Sequence, residues 1–187
     1  MSSPELPLIP EASKAVLALT TSVEIDSPIE KVWQVLLDFP SYPEWNPFVR
    51  SQVIVSSAND TSPLNSQTPT KDTFLFLKVN TPPSLSSPSE SPFAFNTTHL
   101  RIHHLDEETH RIAWVNCMPS WLMTTERWQW LTVVDDGEGS RKTKYETLET
   151  FNGPAAYLVK WFVKKGLEAG FIGMAVGLKE RAESLQD

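Results

Sequence analysis

Apolar side chains recur near the end of the chain at Val159, Val163, Leu167, Phe171, Met174, Leu178, Ala182 and Leu185. These intervals of three and four place them along one stripe of a helix. The spacing predicts a helix from Pro154 almost to the C-terminus, about 45 Å long at about 1.5 Å per residue. Its first half also carries Tyr157, Leu158, Trp161 and Phe162, more apolar surface than one contact face uses, so the rest of the chain is expected to wrap around it. Gly166, Gly170, Gly173 and Gly177 interrupt this helix, at about 0.5–1 kcal/mol per glycine relative to alanine. They mark close packing, a kink, or room for a bound molecule.

A chain of 187 residues, 40% hydrophobic, can bury one substantial core, and residues 15–187 are expected to form a single domain. Residues 1–14 contain Pro4, Pro7 and Pro10 and are expected to be an unpacked N-terminal arm. A net charge of −7 with a pI near 5.1 argues against nucleic acid and anionic membrane surfaces as partners. Lys160, Lys164 and Lys165 break the best apolar run, so no membrane insertion is expected. The single Cys117 excludes an internal disulfide, and with no charged-then-apolar leader the expected setting is cytoplasmic. The expected partner is a hydrophobic small molecule, bound by a monomer or homodimer. Seven tryptophans, at positions 33, 45, 114, 121, 128, 130 and 161, either fill a core or line a cavity for a flat apolar guest.

In chain order, alternation predicts a first strand from Val16 to Ile25. Ser27-Pro28-Ile29-Glu30 follows, with the pattern of a capping box opening a helix that Pro40 stops. A one-turn helix is expected over Ser41–Trp45. Period-two patterning then predicts strands near 48–56, 71–79, 98–105, 111–117, 124–134 and 141–151. Two Ser/Thr/Pro/Asn-rich stretches, 56–70 and 80–92, read as mobile loop insertions, and Asp135–Gly139 reads as a hairpin turn. An antiparallel sheet of seven strands curling around one long helix, with two short helices closing an end, leaves a cavity between sheet and helix.

Three segments carry a family resemblance: VEIDSPIEKVWQVLLDFPSYPEWNPF near the start, YETLETFNGP before the last helix, and GFIGMAVGLKERAE near the end. Together they resemble the SRPBCC superfamily, the START-like helix-grip proteins, and within it the polyketide cyclase/dehydratase-like branch. The resemblance covers nearly all of the chain except the arm and the two insertions. It implies an α+β helix-grip fold. For function it implies either carriage of an apolar ligand or cofactor-free cyclase, dehydratase or isomerase chemistry.

On the last strand, Lys144 and Glu146 suit solvent, which puts Thr143, Tyr145, Thr147, Glu149 and Phe151 on the concave face. An inward Glu149 must find donors or a cation, or take up a proton. It is therefore either an acid/base or a structural carboxylate. On the strand before, Glu126, Trp128 and Trp130 share a face, and they are expected either to form an aromatic cavity wall with one polar handle or to pack as ordinary core. Trp114 is expected to face inward and Asn116 to reach the cavity mouth. Trp33 and Trp45 on the short helices, Thr147, and Phe171 and Met174 on the long one complete the candidate ligand-binding set. Glu149, Glu126 and Tyr145 are the candidate catalytic groups. In the enzymatic reading a glutamate moves a proton while Tyr145, Asn116 or a threonine hydroxyl stabilises an enolate oxygen. The histidines at 99, 103 and 104 fall mostly on the exposed face, and no HExxH, CxxC, GxSxG, P-loop or GxGxxG occurs. Neither metal nor organic cofactor is expected. Loop 117–123, with Met118, Trp121, Leu122 and Met123, is expected either to cover or admit to the cavity or to pack on the small helices.

Overall fold

The computed structural model describes residues 9–85, 97–135 and 141–185. Most of the expected arm, most of the second insertion, and positions 136–139 of the expected turn lie outside the described residues. Strand β1 spans Leu17–Ile25. Helix α1 (Ile29–Leu37) and the single turn α2 (Tyr42–Trp45) come next, with a 3₁₀ turn at Phe39–Ser41 between them. Strands β2 (Val49–Val55), β3 (Phe74–Val79), β4 (Thr97–Asp106), β5 (Arg111–Asn116), β6 (Thr124–Asp135) and β7 (Arg141–Asn152) follow. The chain then runs through α3 (Pro154–Leu158), a π-helical turn (Val159–Val163) and α4 (Lys164–Ser184). The strands form one antiparallel sheet in the order β1-β7-β6-β5-β4-β3-β2. It is a half-barrel curled around the C-terminal helix, the helix-grip fold.

Cross-strand register decides which side chains look inward, because residues directly opposite one another share a face. One concave row crosses five strands: Ile102 pairs with Trp114, Trp114 with Arg127, Arg127 with Glu149, and Glu149 with Leu19. Between the far end of the sheet, the short helices and α4 lies a core that includes Ile25, Val32, Leu36, Tyr42, Tyr145 and Leu178, all fully or almost fully buried. Each aliphatic side chain there contributes about 1.5–3 kcal/mol of transfer free energy. The helix glycines mark close packing. A Cβ on Gly177 would stand 2.4 Å from the Trp45 carbonyl oxygen, and one on Gly170 2.4 Å from the Phe48 ring.

Two local expectations are corrected. Ser27 does not cap α1: its hydroxyl donates to the Ala182 carbonyl of α4 at 3.4 Å, and its own carbonyl accepts from Thr143 at 2.6 Å. A tertiary contact has taken the side chain that the local motif would have used. The C-terminal helix is also not a uniform α-helix, since its π turn shifts the apolar stripe. Leu158, Trp161 and Phe162 consequently stand 55, 68 and 77% exposed rather than wrapped. The insertion at 56–70 lies along the β2 edge, where Leu64 N–H donates to the Ile54 carbonyl and the Gln67 side chain accepts from Ile54 N–H. It supplies partners to an edge strand that would otherwise present open backbone groups.

Candidate functional site

Between the concave face of β3–β7 and the α3–π-turn–α4 segment lies a cavity of about 310 Å³. Leu77, Leu100, Trp114, Phe151, Val159 and Leu167 contribute to its apolar wall, and Arg127 and Glu149 are the only charged residues lining it among the described residues. Such a space, apolar with a few convergent polar groups, has the character of a small-molecule site. Met118, Leu122 and Leu158 border it and are partly exposed, so they form its mouth, beside Trp121 at 75% exposure. The mouth is held by the backbone: Ala155 N–H donates to the Leu122 carbonyl at 3.1 Å, tying the β5–β6 loop to α3. Gly153 makes this approach possible. Its φ of 94° favours glycine, and a Cβ there would meet the Leu122 oxygen at 2.8 Å.

Arg127 is the polar centre of the wall, and it was not among the expected inward residues. Only 4% exposed, its Nε donates to Thr147 Oγ1 at 3.2 Å and its Nη2 to the Met174 sulfur at 3.3 Å. Its guanidinium lies 4.1 Å above the Phe171 ring, a cation–π arrangement. Thr147, Phe171 and Met174 thus hold Arg127 in place rather than line the cavity. Glu149, its direct cross-strand neighbour, makes no hydrogen bond or ion pair among the described residues. Glu149 is half-buried and lines the cavity. Burial pushes its carboxyl up to about 7, against a smaller downward pull from Arg127.

The other candidates are placed as follows. Trp114 and Asn116 lie on the cavity wall, but the Asn116 amide is occupied, donating to the Met123 carbonyl at 3.1 Å and accepting from Thr125 N–H at 3.0 Å. Tyr145 faces inward beneath the cavity, donating to Gln129 Oε1 at 2.6 Å, and burial raises its phenol above the usual range. The aromatic face of β6 is the reverse of that expected. Glu126, Trp128 and Trp130 point away from the cavity, and Arg127, Gln129 and Leu131 point in. On the outer side Trp128 donates to Glu126 at 2.7 Å and packs against His103 and His104, while Trp130 donates to Glu146 at 3.1 Å. The hydrogen-bonding contact with His103 and that with Trp128 hold the Glu126 carboxyl below its ordinary value. Trp33 and Trp45 are also absent from the wall. Trp33 packs edge-on to His110, and Trp45 against Tyr42 in the core.

The register could have revealed this reversal. Odd-numbered residues of β7 pair with odd-numbered residues of β6, so an inward Glu149 entails an inward Arg127. Two further features carry no chemistry. Among the described residues no three His, Cys, Asp or Glu side chains gather as a metal site. A shallow depression beside Glu24, Lys179 and Glu183 is open to solvent and bridged by the Lys179–Glu183 ion pair at 3.2 Å. No helix among the described residues is long and apolar enough to cross a membrane.

A curled antiparallel sheet gripping a C-terminal helix over an apolar cavity defines a START-like helix-grip protein of the SRPBCC superfamily. More narrowly, the chain belongs to the polyketide cyclase/dehydrase and lipid transport family, whose model matches residues 17–183. It is similar to the oxopyrrolidines biosynthesis cluster protein O of Penicillium oxalicum, at 29% identity over 166 residues, covering 84% of this chain and 82% of the relative. Among solved structures it resembles a hypothetical protein of Helicobacter pylori, with a TM-score of 0.69 at 12% identity over 97% of this chain and 99% of that one. It also resembles the Zhui aromatase/cyclase of a Streptomyces species, with a TM-score of 0.62 at 14% identity over 89% and 93% of the two chains. At these identities the structural likenesses speak to fold alone.

Proposed function

We propose that this protein binds a hydrophobic small molecule, polyketide- or lipid-like, in the cavity between sheet and C-terminal helix. The observation that carries this reading is the 310 Å³ apolar cavity, with a mouth bordered by exposed Met118 and Leu158. Its volume lies at the lower end of the range for small-molecule pockets, about 300–1,000 Å³. Titration with the neutral probe N-phenyl-1-naphthylamine tests it: saturable one-to-one binding is expected. Leu167→Trp, which fills the cavity from α4, should abolish binding while the melting temperature holds. Equal binding by a folded Leu167→Trp variant would refute the assignment.

A second reading is favoured by one specific group. Glu149 sits on the cavity wall with its carboxyl raised to about 7, the range in which a carboxyl serves as acid or base near neutral pH. The likeness to a protein named for a biosynthesis cluster supports the same reading. In it the protein is a cofactor-free cyclase, dehydratase or isomerase, Glu149 removes or returns a proton, and Arg127 offers positive charge to the developing enolate oxygen. With a substrate in hand, Glu149→Gln should lower turnover by about 10²–10⁴-fold, the usual consequence of losing a general base, with affinity retained. Unchanged turnover would leave the binding role alone.

A further inference from the structure

The cation in the cavity wall has no anion to match it. Thr147 gives Arg127 a hydroxyl, Met174 a thioether and Phe171 a ring face. These three neutral, soft partners fix the guanidinium plane without neutralising it. The buried phenol oxygen of Tyr145 also accepts a hydrogen bond from the guanidinium, and among the described residues no carboxylate is ion-paired with Arg127. A buried charge left in this state is costly. Glu149 stands directly opposite across the β6–β7 ladder but is not bonded to it. The other ionisable groups facing Arg127 are the buried phenols of Tyr145 on β7 and Tyr42 on α2, both raised by burial and therefore uncharged. From α4 the nearest partners, Phe171 and Met174, do not ionise.

We propose that the cavity ligand ends in a carboxylate, and that Arg127 receives this group in its anionic form. This rests on the ligand-binding reading above and adds the class of compound. The planar guanidinium fork suits such a group, since it binds oxyanions through parallel N–H donors. Binding would place a second negative charge beside Glu149. The carboxyl there, already raised to about 7 by burial, then takes a proton from solvent and becomes an O–H donor to the same oxygen. The apolar body of the ligand lies along Leu100, Trp114 and Phe151 toward the mouth. Association at neutral pH is therefore coupled to proton uptake, larger than displacement of cavity water by an uncharged ligand of the same shape would cause.

The test compares two probes of one shape, 2-naphthylacetate and 2-naphthaleneethanol, by calorimetric titration of the full chain at pH 7 in two buffers of different ionisation heat. The acid is expected to bind at least tenfold more tightly than the alcohol, with a net uptake of a fraction of a proton that vanishes in Glu149→Gln. Arg127→Gln should lose the preference for the acid while still binding the alcohol. The wild-type comparison stands even if that variant does not fold. Equal affinity for acid and alcohol, or acid binding without proton uptake, would overturn the inference and leave the cavity reading intact. Failure of both probes to bind would remove the cavity reading itself.

Discussion

Replacing Glu149 by Gln should make the protein more stable by about 3 kcal/mol at pH 8 and by only about 1 kcal/mol at pH 5. The carboxyl titrates near its ordinary 4.5 in the unfolded chain and at about 7 in the fold, chiefly because burial penalises its charge. Between those values the native state holds more protons than the unfolded state, so stability falls as pH rises through the window and levels off above it. The separation between the two values corresponds to about 3 kcal/mol. A neutral amide of the same shape does not carry this cost at any pH. For a domain of 187 residues, about 3 kcal/mol shifts the melting temperature by about 6–12 °C. Thermal unfolding of both proteins at pH 5, 6, 7 and 8 measures the gap directly, and groups such as His104, lowered mainly by burial, cancel in the difference. The gap should open from about 1 kcal/mol at pH 5 to its full size by pH 8, with the variant the more stable. A gap that does not vary with pH would show that the Glu149 carboxyl titrates alike in the folded and unfolded chain, and a variant that melts earlier at pH 8 would show that it is ionised and paired in the fold; either would refute the reasoning.

The two tryptophans expected to form one wall should now behave differently. Trp114→Ala should weaken binding of an apolar probe by more than 1 kcal/mol, as for a central contact. Trp128→Ala should leave affinity unchanged but cost about 3–5 kcal/mol of stability as a buried aromatic; titration and urea unfolding of the same two variants separate these outcomes. Gly177→Ala should destabilise the fold by at least about 1–3 kcal/mol, the ordinary cost of overpacking, because its Cβ would enter the Trp45 backbone at 2.4 Å; a helix-propensity gain instead would show that α2 yields. Arg181→Met should change stability by less than about 1 kcal/mol, since its 2.8 Å bridge to Glu44 is partly to largely exposed, and denaturant midpoints suffice to check it.

Local pattern determined a large share of this protein. Period-two alternation located all seven strands to within about three residues, and the three-and-four spacing from Val159 to Ala182 located the gripped helix. Side-chain periodicity responds to burial on one side of an element, so it was legible before any partner was known. The inward sense of β7 was legible too, because Lys144 and Glu146 mark the solvent face unambiguously.

Wherever two faces of one element offered comparable chemistry, the outcome depended on the partner. β6 presents Trp128 and Trp130 on one side and Arg127, Gln129 and Leu131 on the other. Hydrophobicity favours burying the tryptophans in the cavity, yet pairing with β7 turns Arg127 inward beside Glu149. Trp128 is buried instead on the outer face, against His103 and His104, and Trp130 lies half-buried there with its N–H on Glu146. Ser27 likewise carries a valid capping signal that α4 overrides through Ala182. The π turn at Val159–Val163 has no marker in the local pattern, and within it Trp161 and Phe162 stand exposed. The charge state of the site was decided in the same way. A glutamate has no unusual proton affinity by sequence; Glu149 acquires one only where tertiary packing removes water from its carboxyl and sets an unpaired guanidinium across the ladder, because desolvation and charge proximity are properties of assembled neighbours.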